Sequence, residues 1–289
     1  MSGTQQLVEA LQFAQDYPNL HALIYSVSGY GKSTLAATFK KPLFVIAYDR
    51  WDNIKPYMRL GKEVYRADEY EGEIEARKAT AAFYQKLHIP VTDVRDEAGK
   101  LLARIEHYYD DDPDRFTAYP RFVERMKLFN GNPKLWRQWG TAVLDSLTFF
   151  QAAAVGWERT VNNPGKQNRL NNFGEGRVHV EGLLYNRLGS ADTNVLVLGH
   201  ELQKELKSGT GGVIRGIAAM GELSTQIPAG FGEVWHLVTE RDEHGELVRR
   251  LRTTTHEDDD GNRWFAKTQE GVPDGCAPTY EAIWARESA

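Results

Sequence analysis

Four short, continuous apolar runs punctuate the chain up to His200: Ala22–Tyr25, Leu43–Tyr48, Ala142–Leu144 and Val195–Leu198. Several of their residues are β-branched, and the segments between them read as helices. Runs that are apolar throughout, rather than alternating, suit strands buried on both faces. Their alternation with helices predicts an α/β fold with a mainly parallel sheet and helices on both faces. After His200 the texture changes. Val234–Thr239, Leu247–Thr253 and Arg263–Thr268 read as strands joined by turns at Glu243-His244-Gly245 and Asp259-Asp260-Gly261, an antiparallel extension of the core's edge. Glu71–Leu87 reads as a long helix. Residues 90–135 read as a charged helical insertion, or as helices packed on one edge, with a helix over Arg121–Phe129. Within it the run Asp110-Asp111-Asp112 is either a solvated loop or a cation site. No fixed-period repeat is present, and residues 1–289 are expected to form one domain.

Composition narrows the class. With 289 residues and 41% hydrophobic content the chain can bury a core. Met1–Asp16 lacks the basic end and apolar stretch of a signal peptide; Leu7, Leu11 and Ala14 suggest an amphipathic helix there. No stretch is apolar enough to span a membrane. The single cysteine, Cys276, excludes an internal disulfide and a cysteine-rich zinc site, so a cytoplasmic location is expected. The formal charge is −5. Binding of nucleic acid would therefore need a local basic patch, or a central channel in an oligomer.

The richest chemistry lies in His21–Thr34, HALIYSVSGYGKST. An apolar strand runs into a Ser/Gly turn and then into an Ala/Leu-rich helix, the context of a phosphate-binding loop. Ser26, Val27, Ser28, Gly29, Tyr30, Gly31, Lys32, Ser33 and Thr34 would wrap a nucleotide. Backbone N–H groups and the helix N-terminus would face its phosphates. Lys32 would reach the β- and γ-phosphates, and the Ser33 hydroxyl would hold Mg²⁺. Ser26 stands where the motif has its first glycine. The alternative is a Gly-rich turn leading into an ordinary helix.

Nucleotide hydrolysis also needs a carboxylate for the metal and a group that activates water. Asp145, at the end of Thr141–Leu144, is the candidate metal ligand; otherwise it caps the next helix. Asp49 follows the run Leu43–Tyr48 and is the candidate water-activating carboxylate, with Asp52 behind it; both also suit ordinary strand-end turns. His200 either contacts the γ-phosphate or is simply the first polar residue past a core strand.

Taken in order, SVSGYGKST, FVIAYD, TAVLDS and VLVLGHE resemble the core of RecA-type ATPases. More narrowly, the chain resembles the short RecA-like P-loop ATPases of bacteriophages that accompany single-strand annealing proteins and recombination. The resemblance covers about Ala22–Thr268. It implies a RecA-like core in which the His200 strand lies between the Lys32 and Asp145 strands. It implies ATP and Mg²⁺ as ligands, and a homo-oligomer with nucleotide at subunit interfaces. It implies single-stranded DNA as a partner, an annealing or single-strand-binding protein as another, and a host cytoplasmic location. Asp49 falls where the bacterial recombinases carry Glu. Lys267, in Ala266-Lys267-Thr268, falls where relatives offer a cation to a neighbour's nucleotide, although Gln269 rather than Arg follows; the alternative is a surface lysine. Asn162–Arg177, with Lys166, Arg169 and Arg177, and Gln203–Gly221, with Lys204, Lys207 and Arg215, would lie near the DNA-lining loops. Mobile Gly-rich backbone with Lys and Arg suits phosphate contacts, and Phe173 suits base stacking. Arg177 or Arg215 could instead serve as an arginine finger, and plain surface loops are the further alternative.

The leading expectation is an ATP-hydrolysing protein acting on single-stranded DNA. A nucleotide-regulated assembly or scaffold protein without nucleic acid is the alternative; a small-molecule kinase fits less well, because no Arg-rich lid is evident.

Overall fold

The computed structural model describes residues 19–50, 53–68, 72–78, 81–110, 116–162, 169–205, 213–258 and 262–284. In chain order the elements begin with β1 (His21–Ser26), α1 (Lys32–Ala37), β2 (Leu43–Ala47) and α2 (Lys55–Met58). There follow β3 (Glu63–Asp68), β4 (Gly72–Lys78), β5 (Ala81–Leu87), β6 (Pro90–Arg95), β7 (Leu101–His107) and α3 (Ala118–Gly131). Next come β8 (Thr141–Asp145), α4 (Leu147–Trp157), α5 (Arg169–Glu181), β9 (Asn194–Glu205) and β10 (Val213–Ile217). The chain continues through α6 (Leu223–Ala229), β11 (Glu233–Arg241), β12 (Leu247–Arg252), β13 (His256–Glu257), β14 (Arg263–Trp264) and α7 (Tyr280–Trp284).

The main sheet runs β12-β11-β1-β9-β8-β2-β7-β6-β3. Its centre, from β11 to β7, is parallel; β12 at one edge and β6 and β3 at the other are antiparallel. The fold is thus mixed α/β with a mostly parallel sheet, as the continuous apolar runs predict. The strand of His200 lies between those of Lys32 and Asp145, the order the resemblance implies.

Side chains alternate across each strand and so feed two apolar layers. Leu23, Tyr25, Phe44 and Ile46 face a layer completed by Phe122, Met126, Phe150 and Leu184. Ala22, Ile24, Leu43 and Val45 face the other, with Leu35, Ala36, Tyr57 and Ile283. Helices therefore cover both faces. The strand ends that carry chemistry are the C-terminal ends of β1, β2, β8 and β9, which share one edge because the strands are parallel.

Four sequence expectations are corrected. Of the three strands expected as an antiparallel edge extension only β12 is one: β11 joins β1 in parallel, and β14, no longer than Arg263–Trp264, pairs with β10 and β13 off the main order. The stretch expected as one helix over Glu71–Leu87 is an antiparallel pair, β4 with β5, from Gly72↔Leu87 to Lys78↔Ala81. Strand pairing there overrides the helical propensity of Glu, Ala, Lys and Arg. Residues 90–135 are not helical throughout: α3 contains the expected helix, but β6 and β7 belong to the main sheet. The charges that suggested an insertion are paired inside it. Arg104 meets Asp93 at 3.0 Å, and buried Glu106 takes Arg125 at 2.5 Å and the Tyr108 hydroxyl at 2.6 Å. Finally, neither expected DNA-lining segment is one loop: α5 starts at Arg169 within Asn162–Arg177, and within Gln203–Gly221 β9 runs to Glu205 and β10 spans Val213–Ile217, paired with it. Gly176 serves packing in α5: a Cβ on it would lie 2.6 Å from Val155 Cγ2 of α4.

Asp110 proves to be a local anchor. Its carboxylate accepts the Thr117 and Ala118 N–H groups, both at 2.9 Å, at the start of α3. Asp111, Asp112, Asp52 and the expected N-terminal helix lie outside the described residues.

Candidate functional site

The parallel edge opens into a cleft of about 270 Å³. Ser28, Gly29, Gly31, Lys32, Ser33 and Thr34 form one wall; Asp49, Asn53, Lys55, Pro56 and Arg59 form the other; Asp145 and His200 lie between.

The first wall is the turn from β1 to α1. Ser26 is the last residue of β1 and is fully buried, so it sits in extended backbone that a serine accepts as readily as a glycine. Its hydroxyl donates to Val27 O at 2.9 Å and accepts from Lys32 Nζ at 3.1 Å. Lys32 Nζ also donates to Ser26 O at 3.2 Å and Val27 O at 3.3 Å. Burial draws the Lys32 pKa down to about 8, opposed by the charges of Asp145, Asp49 and Glu201. The two turn glycines have φ of 85° at Gly29 and 100° at Gly31, where an L side chain is strained. Gly31 has a second constraint: a Cβ there would lie 3.2 Å from Arg249 Nη1, which reaches over from β12. Tyr30 packs against the apolar layer below, and Val27 is exposed.

Asp145 ends β8 and is buried. Its Oδ2 accepts the Ser33 hydroxyl at 2.6 Å and the Tyr57 hydroxyl at 2.8 Å. Burial pushes its pKa up to about 6, against the pull of those two hydrogen bonds and of Lys32. Its main chain ties the next strand in place, since Asp145 O accepts the N–H of Tyr48 at 2.7 Å and of Asp49 at 3.2 Å. Asp49 is buried at the end of β2, and its Oδ1 takes Asn53 Nδ2 at 2.7 Å and Arg50 N at 3.1 Å. The His200 and Phe149 rings lie nearly perpendicular, with centroids 5.6 Å apart. Burial and the nearby Lys32 charge hold its pKa below the ordinary value, although Asp49 pulls the other way.

Ser33 and Asp145 offer hard oxygen donors at one point. That fits Mg²⁺, which uses one or two protein oxygens and completes its shell with phosphates and waters. Among the described residues no group of three or more His, Cys, Asp or Glu could hold a metal ion unaided. The arrangement can therefore take a metal together with a phosphate chain.

The other expected residues lie elsewhere. Lys267 does not line the cleft; its backbone bridges Val234, and the adjoining Thr268 and Gln269 are tied to buried Glu233 at 3.1 and 2.6 Å. Arg177 is committed within the chain, to Glu181 at 2.9 Å, Gln226 at 2.7 Å and Glu222 at 3.3 Å. Arg215 turns inward: it meets Glu201 at 3.4 Å and lies 5.1 Å above the Trp264 ring. Glu201 also receives His236 at 3.0 Å and Trp264 Nε1 at 3.2 Å. Arg169 lies in α5 and Lys204 in β9. Lys166 and Lys207 fall outside the described residues.

Sequence reasoning missed Tyr57, Asn53, Lys55, Arg59 and Arg249. A weak signal existed for the α2 group, because Pro56 in Lys55-Pro56-Tyr57 marks a helix start just beyond a strand end. Nothing local points to Arg249.

No protein-family model matches the chain, and no curated protein matches it. A solved structure described as a prototypical ATPase from the type III secretion system of pathogenic bacteria aligns with 76% of this chain at 11% identity and a TM-score of 0.41. The alignment covers 52% of that chain, so this protein spans about half the length of its structural neighbour. At that level of agreement, any functional reading rests on the site itself.

Proposed function

We propose that this chain is a RecA-like P-loop ATPase that binds and hydrolyses Mg-ATP and acts on single-stranded DNA in phage-type recombination or replication. The observation that carries the reading is the Ser33–Asp145 contact of 2.6 Å beside buried Lys32. Residues 112 apart in sequence meet where a phosphate loop and its metal need them. In this reading the loop's N–H groups and Lys32 hold the phosphates, and Ser33 and Asp145 hold Mg²⁺, which screens the phosphate charge. Asp49, oriented by Asn53, takes a proton from the attacking water. His200 donates a hydrogen bond toward the γ-phosphate. Lys267 would serve a neighbouring subunit's nucleotide in a homo-oligomer. Lys166, Arg169, Lys204 and Lys207 would contact DNA, with an annealing or single-strand-binding protein as a further partner.

One observation favours the second reading, a nucleotide-regulated assembly protein without nucleic acid. Arg177 and Arg215 both spend their charge on internal carboxylates. Turnover of Mg-ATP, with and without single-stranded DNA, separates the two when Lys32→Ala and Asp145→Asn are assayed alongside. The first reading expects DNA-stimulated turnover that both variants abolish. Tight ATP binding without turnover would transfer the protein to the second. Absence of ATP binding would overturn both.

A further inference from the structure

The cleft has cations on both walls. β1 and β2 are separated by β9 and β8. Three strand spacings put the walls about 14 Å apart at the sheet, room for a phosphate chain and its metal between them. Lys32 rises from the first wall. On the second, Arg59 closes α2, its N–H bonded to Lys55 O at 3.1 Å, so the two residues lie one turn apart. Both line the cleft and both are exposed, while Tyr57 between them is buried and turned to Asp145. Among the described residues the Arg59 side chain has no ion-pair partner, unlike Arg177 and Arg215.

We infer that Arg59 is a catalytic residue acting in cis, its guanidinium holding the γ-phosphoryl oxygens opposite Lys32. The inference rests on the ATPase reading above. Phosphoryl transfer spreads charge over three equatorial oxygens, and a transition state is stabilised by cations placed where that charge develops. Lys32 and the Ser33–Asp145 metal position serve the loop side. The oxygen facing Asp49 and α2 has Arg59 within its wall. Water oxygen bonds to Pγ, the Pγ–O bond to the β-phosphate breaks, ADP leaves, and the water proton passes to Asp49. Arg59 changes no bond; it neutralises charge. The subunit then carries its own arginine, and the neighbour's Lys267 is not needed for the chemical step.

Three measurements on Arg59→Ala and Arg59→Lys test this. Single-turnover hydrolysis should fall about 100-fold or more in Arg59→Ala and be only partly restored in Arg59→Lys. Affinity for ADP should stay within about 3-fold, whereas affinity for ADP with Mg²⁺ and aluminium fluoride, a mimic of the transferring phosphoryl, should fall by about the kinetic factor. Mixing Arg59→Ala with Lys32→Ala protein should restore no turnover, because both residues serve the same site. Unchanged hydrolysis by folded Arg59→Ala protein, equal losses for ADP and the fluoride complex, or restored turnover in the mixture would each overturn the inference. Wild-type protein that binds and hydrolyses Mg-ATP while Arg59→Ala is unaffected sinks the arginine alone. Wild-type protein that binds no nucleotide sinks the ATPase reading with it.

Discussion

Tyr57 donates its buried hydroxyl to Asp145 Oδ2 at 2.8 Å, the same oxygen that takes the Ser33 hydroxyl at 2.6 Å. The phenol therefore steadies a carboxylate that burial alone would drive toward its neutral form. Tyr57→Phe removes one of the two donors and leaves the ring. The Asp145 carboxyl pKa should rise further. Metal binding needs the carboxylate, so the acid limb of Mg-dependent nucleotide binding should move to higher pH. The half-saturating Mg²⁺ concentration near neutral pH should also increase. Titrations of nucleotide binding at fixed pH values from 5 to 8 check this; an unmoved acid limb would mean that Ser33 alone sets the charge.

Gly29 and Gly31 predict a graded pair. Both have positive φ, but a Cβ on Gly29 meets nothing within 4 Å, while one on Gly31 meets the Arg249 guanidinium. Gly29→Ala should cost only backbone strain, about 1–2 kcal/mol. Gly31→Ala adds displacement of Arg249 and should weaken nucleotide binding more. Pairing Gly31→Ala with Arg249→Ala should recover part of the difference. Equal affinities for the two single variants would show that Arg249 yields freely.

Gly176 tests the correction to α5. With Val155 Cγ2 only 2.6 Å from where its Cβ would be, Gly176→Val overpacks the contact with α4. A loss of about 1–3 kcal/mol is expected. The melting temperature should fall by several degrees, with ATP affinity at low temperature retained. A loop in this position would tolerate the change.

His107 should make the protein sensitive to acid. Burial, reinforced by the charges of Arg66 and Arg121, lowers its pKa from 6.5 to about 4, and its ring lies 3.0 Å from the Thr92 hydroxyl. As pH falls below 6.5 the unfolded chain takes up this proton and the folded chain does not. The stability contribution is therefore complete above about pH 6.5 and is lost down to about pH 4, at about 1.4 kcal/mol per pH unit. Urea unfolding across that range should show the slope, and His107→Asn should flatten it.

The cores of β1, β2, β8 and β9 were legible because each holds a continuous apolar run, a pattern that both faces of a covered parallel sheet impose. The residues of the β1–α1 turn and Asp145 were legible for a related reason: they follow such strands directly, so chain order places them at one edge. β7 was not legible, since its Arg104 and Glu106 are neutralised by Asp93 and Arg125, partners that sequence adjacency does not supply. The pair β4–β5 was misread because isolated residues there favour helix and only pairing makes them strand.

By itself, then, the sequence determined the covered parallel sheet and the strand-end positions of Lys32, Ser33, Asp49, Asp145 and His200, through local periodicity and turn chemistry. Tertiary structure decided what surrounds them. Tyr57 reaches Asp145 across 88 residues, and Arg249 lies against Gly31 from β12. It also decided which arginines are spent internally and which, like Arg59, face the cleft. Those outcomes depend on which side chains meet in space, and a contact between distant segments leaves no periodic trace in either one.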